Sequence, residues 1–224
     1  MSKQNIDTIV GFLLDQSESM EVVRDETVSG FNEYLETLRG DDTPTFLTLW
    51  AFNSMEFDVI YDFEDVAAIP KMTRSVYEPA GLTPLYDSIA EGITSIESSL
   101  KARAEEWNVI FIIMTDGIEN RSRYYNRETI LDLIRQKEQA GWLFVYLGAN
   151  QDAWAAAESI GIGKRHSAGY NAYNVEEALR TVADSTIRGK MGFRRMARPA
   201  QVDVFTAEER RKLFEDKKFD RRRS

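Results

Sequence analysis

The chain has 224 residues, of which 43% are hydrophobic and 29% are charged, as is typical of a soluble globular protein with a buried core. It has no cysteine and a single histidine, His166, so disulfides, zinc–thiolate sites, cysteine nucleophiles and histidine-rich metal sites are excluded. Residues 1–7 lack the apolar core of a signal peptide, and no apolar run approaches the ~20 residues of a membrane span. We therefore expect a cytoplasmic protein that makes no membrane contact, with the lone histidine exposed.

The net charge of −9 is unevenly distributed along the chain. Residues 187–224 contain 13 Lys and Arg against 6 Asp and Glu, a net of +7, whereas residues 1–186 contain 15 against 31, a net of −16. The acidic body is expected to repel nucleic acid. The basic extension is predicted to contact an acidic surface, including that of this chain, or, with less support, nucleic acid.

Apolar runs alternate with helical patterns, which is typical of an α/β fold with a mostly parallel sheet. Residues 8–14 form an apolar run typical of a strand buried on both faces, and a helix is predicted over residues 20–38. Residues 46–52 and 57–61 predict a hairpin whose second strand is an antiparallel edge strand.

The same alternation continues in the second half of the chain. A helix is predicted to begin at Thr83-Pro84, and residues 109–114 are the most strand-like run of the sequence. A helix over residues 127–139 leads to a strand over residues 142–148. Two further helices are predicted, over residues 152–159 and 175–187.

The helical period is lost after Gly189. The run Thr206-Ala207-Glu208-Glu209 is a capping box and predicts a charged helix that ends near Phe219. We therefore divide the chain into a domain over residues 1–188 and a basic extension over residues 189–224 that is partly helical or flexible.

Five oxygen-bearing side chains stand beside these elements in a pattern that brings them together. They are Asp15, Ser17 and Ser19 after the first apolar run, Thr83 before a helix, and Asp116 after the most strand-like run. Because the carboxyl ends of parallel strands meet at one edge of a sheet, we expect these side chains to converge. Two carboxylates and three hydroxyls suit Mg²⁺ or Mn²⁺ and leave a coordination position free for another ligand.

Each motif alone also has a purely structural explanation. Ser17 and Ser19 could cap a helix, Thr83 could cap another before its proline, and Asp116-Gly117 could form a turn. The ordered set Asp-x-Ser-x-Ser, Gly-x-Thr-Pro and Thr-Asp-Gly is more specific than any of its parts. It resembles the metal-ion-dependent adhesion site of von Willebrand factor type A domains, and the resemblance covers roughly residues 6–188.

The resemblance implies a doubly wound, mostly parallel six-stranded sheet with one antiparallel edge strand and helices on both faces. It implies that Ser17 and Ser19 bind the cation directly, and that Asp15 acts through water and orients them. Thr83 would bind the cation when a partner is engaged, and Asp116 would bind directly or through water. The implied function is non-enzymatic: the module ligates an Asp or Glu of a protein partner through the metal. Similar small cytoplasmic proteins occur in bacteria and phages.

The neighbours of these five residues form the predicted partner-binding rim, which comprises Gln16, Glu18, Gly81, Leu82, Gly117 and Glu119. Glu18 stands where the family often has a small residue, so it could change the metal affinity or compete with an acidic ligand. The alternative function is a Mg²⁺-dependent phosphohydrolase or nuclease in which Asp15, Asp116 and Glu119 activate water. An aspartyl-phosphate phosphatase would need a second aspartate where Ser17 stands, which disfavours that alternative.

Overall fold

A computed structural model describes residues 6–103, 105–149, 153–195 and 202–215. Six strands form one sheet in the order β3-β2-β1-β4-β5-β6. All neighbouring strands are parallel except β2 and β3, which form an antiparallel pair at one edge. The strands are β1 (Thr8–Asp15), β2 (Thr45–Phe52), β3 (Phe57–Asp65), β4 (Asn108–Thr115), β5 (Leu143–Ala149) and β6 (Ser167–Tyr170).

Helices cover both faces of the sheet and give two hydrophobic cores. One face packs against α1 (Arg24–Arg39), α5 (Val175–Arg194) and α6 (Ala207–Glu215). The other packs against α2 (Leu85–Lys101), α3 (Arg127–Gln139) and α4 (Ala153–Ser159). This is the doubly wound α/β fold predicted from the sequence. Within the described residues, no helix is long and apolar enough to cross a lipid bilayer.

Strand β1 shows why its apolar run is almost uninterrupted. Val10 and Phe12 contribute to the core on the α1 side, whereas Ile9 and Leu13 contribute to the core on the α2 side. Successive side chains of a strand point to opposite faces, so a strand covered on both faces needs apolar residues at every position. The ring of Phe12 meets that of Phe31 edge-on at 5.3 Å, and such pairs add about 0.5–1.5 kcal/mol beyond area burial.

The sheet topology places the predicted site at a switch point. Strand β1 lies between β2 and β4, so the chain leaves it towards one side and later returns on the other. Leu14 pairs with Met114 in the parallel register of β1 and β4, which brings Asp15 and Thr115 to the same edge of the sheet. Ligand sites of open α/β sheets form in the crevice at such carboxyl ends.

Two predicted helices have different bounds in the structure, and one strand was not predicted. The helix predicted over residues 20–38 is preceded by a 3₁₀ segment at Glu18–Val23, and α1 begins only at Arg24. Strand β6 is not indicated by its own residues, because Ser-Ala-Gly-Tyr is short and lacks β-branched residues. Helix α5 continues seven residues past the predicted end at residue 187, so the predicted division at 188/189 falls inside this helix.

The extension of α5 follows from its close contact with the sheet. A methyl group at Gly189 would lie 2.8 Å from Leu143 Cδ2, so a larger residue would displace this side chain where the helix approaches β5. The buried Lys190 ammonium follows directly and donates hydrogen bonds to Thr45 Oγ1 (2.6 Å) and the Thr43 carbonyl (3.0 Å). The helical spacing of apolar residues is lost here because a glycine and a lysine occupy buried positions.

Two features of the C-terminal region bear on the sequence predictions. The capping box of α6 is confirmed, since Thr206 N donates to Glu209 Oε2 (2.8 Å) and Glu209 N donates to Thr206 Oγ1 (3.1 Å). The predicted helix end near Phe219 lies outside the described residues. His166, which we expected to be exposed, is 4% exposed, and its Nε2 lies 2.9 Å from the Val202 carbonyl oxygen. Burial lowers the pKa of this imidazole, although that hydrogen bond raises it.

A capping box also fixes the start of α3, and it offers a test of local stability. The Asn126 side chain accepts a hydrogen bond from Thr129 N (3.0 Å), and Asn126 N donates to Thr129 Oγ1 (3.0 Å). We expect Asn126→Ala to lower the free energy of unfolding by about 1 kcal/mol. Urea denaturation would measure the loss, with Asn126→Asp as the control that keeps an acceptor. An unchanged midpoint in the alanine variant would show that the cap contributes nothing.

Candidate metal site

The loops that follow β1 and β4 bring three of the predicted ligands into direct contact. Ser19 Oγ donates a hydrogen bond of 2.7 Å to Asp116 Oδ1. Ser17 Oγ lies 3.2 Å from Ser19 Oγ. Neighbouring oxygens around an octahedral ion with bonds of about 2.1 Å are roughly 3 Å apart. The spacing of these oxygens therefore fits a shared Mg²⁺-sized ion.

Asp15 lies beneath this group and is fully buried. Its Oδ1 accepts a hydrogen bond from Ser17 N (2.7 Å), and its Oδ2 accepts one from the Thr115 hydroxyl (2.5 Å). Its own carbonyl accepts a hydrogen bond from the Tyr77 hydroxyl (2.6 Å). Both carboxylate oxygens are thus held by the protein, which suits a residue that orients Ser17 and acts on a cation through water.

The electrostatics of the two carboxylates favour a nearby cation. Burial raises the pKa of Asp15 to about 6, although hydrogen bonds from Thr115 and Ser17 act to lower it. Burial also raises the pKa of Asp116, against the lowering effect of the Ser19 hydrogen bond. A raised pKa means that the negative charges are poorly compensated in the protein alone. A divalent ion at this position would supply the missing compensation.

The helix-capping explanation does not hold for Ser17 or Thr83. Ser17 occupies the N-cap position of the 3₁₀ segment but makes no side-chain capping bond. Helix α2 has Pro84 at its N-cap, again without a side-chain capping bond. Thr83 is 2% exposed, and no hydrogen bond of its hydroxyl is found among the described residues. Neither hydroxyl is therefore used to cap a helix.

Thr83 lies against the loop that carries Asp116. A methyl group at Gly117 would be 2.8 Å from Thr83 Oγ1, so a larger residue at position 117 would displace this hydroxyl. The backbone of Thr83 is also bonded to Asn120, through Thr83 N to Asn120 Oδ1 (2.9 Å) and Asn120 N to the Thr83 carbonyl (3.2 Å). These contacts join the Gly81–Pro84 region to the loop after β4.

The predicted rim residues fall into different environments. Gln16 is buried, and its Oε1 has no hydrogen-bond partner among the described residues. Glu18 is exposed, and its backbone N–H donates to the Gly81 carbonyl (3.1 Å). Leu82 is 46% exposed at the surface. Gly81 has a φ of +72°, a conformation that favours glycine.

Glu119 holds the loop after β4 in place through hydrogen bonds. Its carboxylate accepts hydrogen bonds from the backbone N–H groups of Tyr86, Arg121 and Ser122 and from the Ser122 hydroxyl. The alternative enzymatic function would need this carboxylate beside Asp15 and Asp116. Across residues 6–103, 105–149, 153–195 and 202–215, no three His, Asp or Glu side chains are grouped so that they could hold a metal. A metal site among these residues would need oxygen ligands other than a third carboxylate.

The residues that support the site were not predicted from the sequence. Thr115 holds the Asp15 carboxylate, Tyr77 holds its carbonyl, and Asn120 holds Thr83. Thr115 is part of the Thr-Asp-Gly motif, so its proximity to the site could have been predicted. Tyr77 and Asn120 could not have been predicted, because their hydrogen-bond partners are 62 and 37 residues away along the chain.

No protein-family model matches the sequence, and no curated protein matches it either. Many solved structures match the fold. One is the vWF domain of the type V pili tip protein Mfa5 from Porphyromonas gingivalis, with a TM-score of 0.60, 10% identity, and 83% of this chain and 97% of that chain covered. Another is the manganese-loaded TRAP protein of Plasmodium vivax, with a TM-score of 0.56, 16% identity, and coverages of 78% and 72%.

A von Willebrand factor type A protein from Catenulispora acidiphila is also similar, with a TM-score of 0.56, 15% identity, and coverages of 82% and 43%. The chain spans less than half the length of several of these structures. At such identities the comparison establishes the fold alone. That fold is the one found in von Willebrand factor type A domains.

Proposed function

We propose that this chain, which has the von Willebrand factor type A fold, is a non-enzymatic module that binds a protein partner through a divalent cation, Mg²⁺ or Mn²⁺. The residues that would hold the cation are Asp15, Ser17, Ser19, Thr83 and Asp116. The observation that carries the proposal is the chain of contacts from Ser17 Oγ through Ser19 Oγ to Asp116 Oδ1. Groups 97 residues apart in sequence meet there at the spacing of cis ligands.

The donor set favours binding over catalysis. Three of the five groups are neutral hydroxyls, so at most two carboxylates offset the charge of the ion. When bound, the cation would remain electrophilic and take a further anionic oxygen, such as an Asp or Glu carboxylate of the partner. Ser17, Ser19 and Asp116 would fix its position, and Asp15 would orient Ser17. The similarity to a manganese-loaded structure supports the choice of metal.

The charge distribution explains what a metal would add. Residues 1–186 carry a net charge of −16, so an acidic partner is repelled by the body of the chain. A divalent ion at the carboxyl edge of the sheet makes that one region attractive to a carboxylate. We expect the module to act in the cytoplasm, with the basic extension contacting an acidic surface.

Affinity capture with and without chelator tests this function. Immobilised protein in Mg²⁺ is expected to retain partner proteins that EDTA releases, and Ser17→Ala is expected to lose them. Ser75→Ala is the matched control, because Ser75 is an exposed serine in the segment Arg74–Val76 and its hydroxyl hydrogen-bonds with that of Thr73, away from the candidate ligands. Retention that is unaffected by EDTA, or equal for Ser17→Ala and the unmodified chain, would contradict the proposal.

A further inference from the structure

Exposed apolar side chains concentrate at the edge of the sheet that carries the candidate metal site. Of the eleven large apolar side chains that are exposed among the described residues, seven belong to the segments that connect strands and α-helices at this edge. A single exposed apolar residue is ordinary, but a contiguous group marks an interaction surface. The seven are Val22, Met55, Leu82, Ile118, Tyr124, Tyr125 and Tyr173.

Three of these residues, Leu82, Ile118 and Met55, stand on neighbouring segments beside the metal site. Leu82 and Ile118 flank the close contact between Thr83 and Gly117, so they lie on neighbouring loops. Leu82 N donates to Ser54 Oγ (3.0 Å), and a methyl group at Gly81 would lie 3.6 Å from Met55 Cε. The apolar surface therefore runs from the site towards the turn between β2 and β3.

This surface continues into a groove. A cavity of about 330 Å³ opens between the β2–β3 turn and the loop after β4, lined by Met55, Pro84, Arg121, Arg123 and Tyr124 among others. It adjoins a second cavity of about 570 Å³ along α2, which shares Tyr124 with it. Both volumes lie in the range of roughly 300–1,000 Å³ that is typical of ligand pockets.

The groove is lined by charges of both signs, and an acidic group of a ligand is favoured only beside its two arginines. Arg121 and Arg123 form no ion pair with any other described residue. The Asp87 carboxylate, which also lines the groove, accepts hydrogen bonds from the N–H groups of residues 123–125, so the loop already compensates its charge. Glu56 and Glu91 line the same cavity, so acidic side chains of a ligand must face the arginine wall.

We propose that this surface, comprising Met55, Leu82, Ile118, Arg121, Arg123 and Tyr124, binds an extended segment of a protein partner that is both acidic and apolar. One carboxylate of the segment would occupy the metal site, a large apolar or aromatic side chain would lie on Leu82, Met55 and Tyr124, and a second carboxylate would face the arginines. The proposal rests on the proposed function, because the first carboxylate needs the metal.

A peptide library tests this specificity. The library has a fixed central glutamate and four randomised positions on each side, and it is presented to the immobilised chain in Mg²⁺. We expect bound peptides to be enriched in large apolar residues and in a second acidic residue on one side of the glutamate. We expect Leu82→Ser or Tyr124→Ser to weaken the best peptide roughly tenfold or more, as is usual for anchoring residues.

Two controls separate this inference from the metal hypothesis. Val59→Ser, on the exposed edge strand β3, should leave peptide binding unchanged. All these variants should keep the rise in melting temperature that Mg²⁺ causes. If Mg²⁺ raised the melting temperature of neither the unmodified chain nor any variant, the proposed function itself would be overturned. If Mg²⁺ raises the melting temperature normally, three results would overturn this inference alone. They are no peptide binding, no sequence preference beside the glutamate, and unchanged peptide binding by Leu82→Ser and Tyr124→Ser.

Discussion

Asp15→Asn is expected to make the metal-free protein more stable at pH 8 and, at the same time, to abolish its stabilisation by Mg²⁺. Burial raises the pKa of Asp15 to about 6 from an ordinary value of 3.8. The folded state therefore binds this proton more tightly than the unfolded state does. The contribution to stability is complete below pH 3.8 and is lost as the pH rises through 6. Above that pH the buried carboxylate costs about 3 kcal/mol.

Asparagine removes this charge and keeps the shape. Its Oδ1 can still accept the hydrogen bond from Ser17 N. The Thr115 hydroxyl can accept from the new Nδ2–H and donate to the Gly117 carbonyl, which lies 3.2 Å away. The amide, however, carries no negative charge to offset a cation. The same substitution should therefore stabilise the metal-free fold and weaken the metal site.

Urea unfolding in EDTA at pH 8 and at pH 4 measures the first effect. We expect the free energy of unfolding of Asp15→Asn to exceed that of the unmodified chain by about 3 kcal/mol at pH 8, and this difference to fall to roughly 0.5 kcal/mol at pH 4. Thermal unfolding measures the second effect. Mg²⁺ at 100 times its dissociation constant should raise the melting temperature of the unmodified chain by roughly 5–10 °C, and that of the variant hardly at all. A variant that is less stable in EDTA at pH 8, or that still responds to Mg²⁺, would refute this account of Asp15.

Lys190→Met is expected to lower the free energy of unfolding by about 3 kcal/mol. The ammonium of Lys190 is 3% exposed and donates to the Asp41 carboxylate, the Thr43 carbonyl and Thr45 Oγ1. Burial opposes ionisation of Asp41, but the hydrogen bonds from Lys190 and Thr43 outweigh it and hold the pKa of this carboxyl below its ordinary value. Methionine would fill the space of the lysine stem and leave the carboxylate without its partner.

The double variant Lys190→Met/Asp41→Asn is the matched control, since it removes both charges. It should regain part of the lost stability, because a neutral pair needs no compensation. These residues lie at the amino end of β2, opposite the metal site, so the response to Mg²⁺ should be unchanged in both variants. A Lys190→Met variant as stable as the unmodified chain would show that the Lys190 ammonium does not stabilise the domain.

The fold could be predicted where one physical cause dominates the sequence. Strands β1 and β4 are buried on both faces, so their apolar runs are unambiguous. Helix α3 has the predicted bounds because a capping asparagine precedes it. Strand β6 has only four residues, and its pairing with β5 determines it more than its own composition does. The end of α5 was missed because contacts with β5 and β2, which are distant in sequence, stabilise its last turns.

The candidate site shows the same division between local and distant causes. Its five predicted ligands stand out because each follows a strand or precedes a helix with an unusual oxygen-rich pattern. The placement of Gln16, which is buried, and of Glu119, which holds a loop, depends on how the chain folds around them. The burial of His166 depends likewise on the distant Val202 segment. No local pattern could have predicted those contacts.

A crystal structure of the protein grown in Mn²⁺, with anomalous diffraction recorded at the manganese edge, tests the central claim most directly. We predict one anomalous peak within coordination distance of Ser17 Oγ, Ser19 Oγ and the Asp116 carboxylate or its bound water, with Asp15 behind the serines. A peak elsewhere, or no peak while these oxygens still face one another, would contradict the claim that they form a cation site.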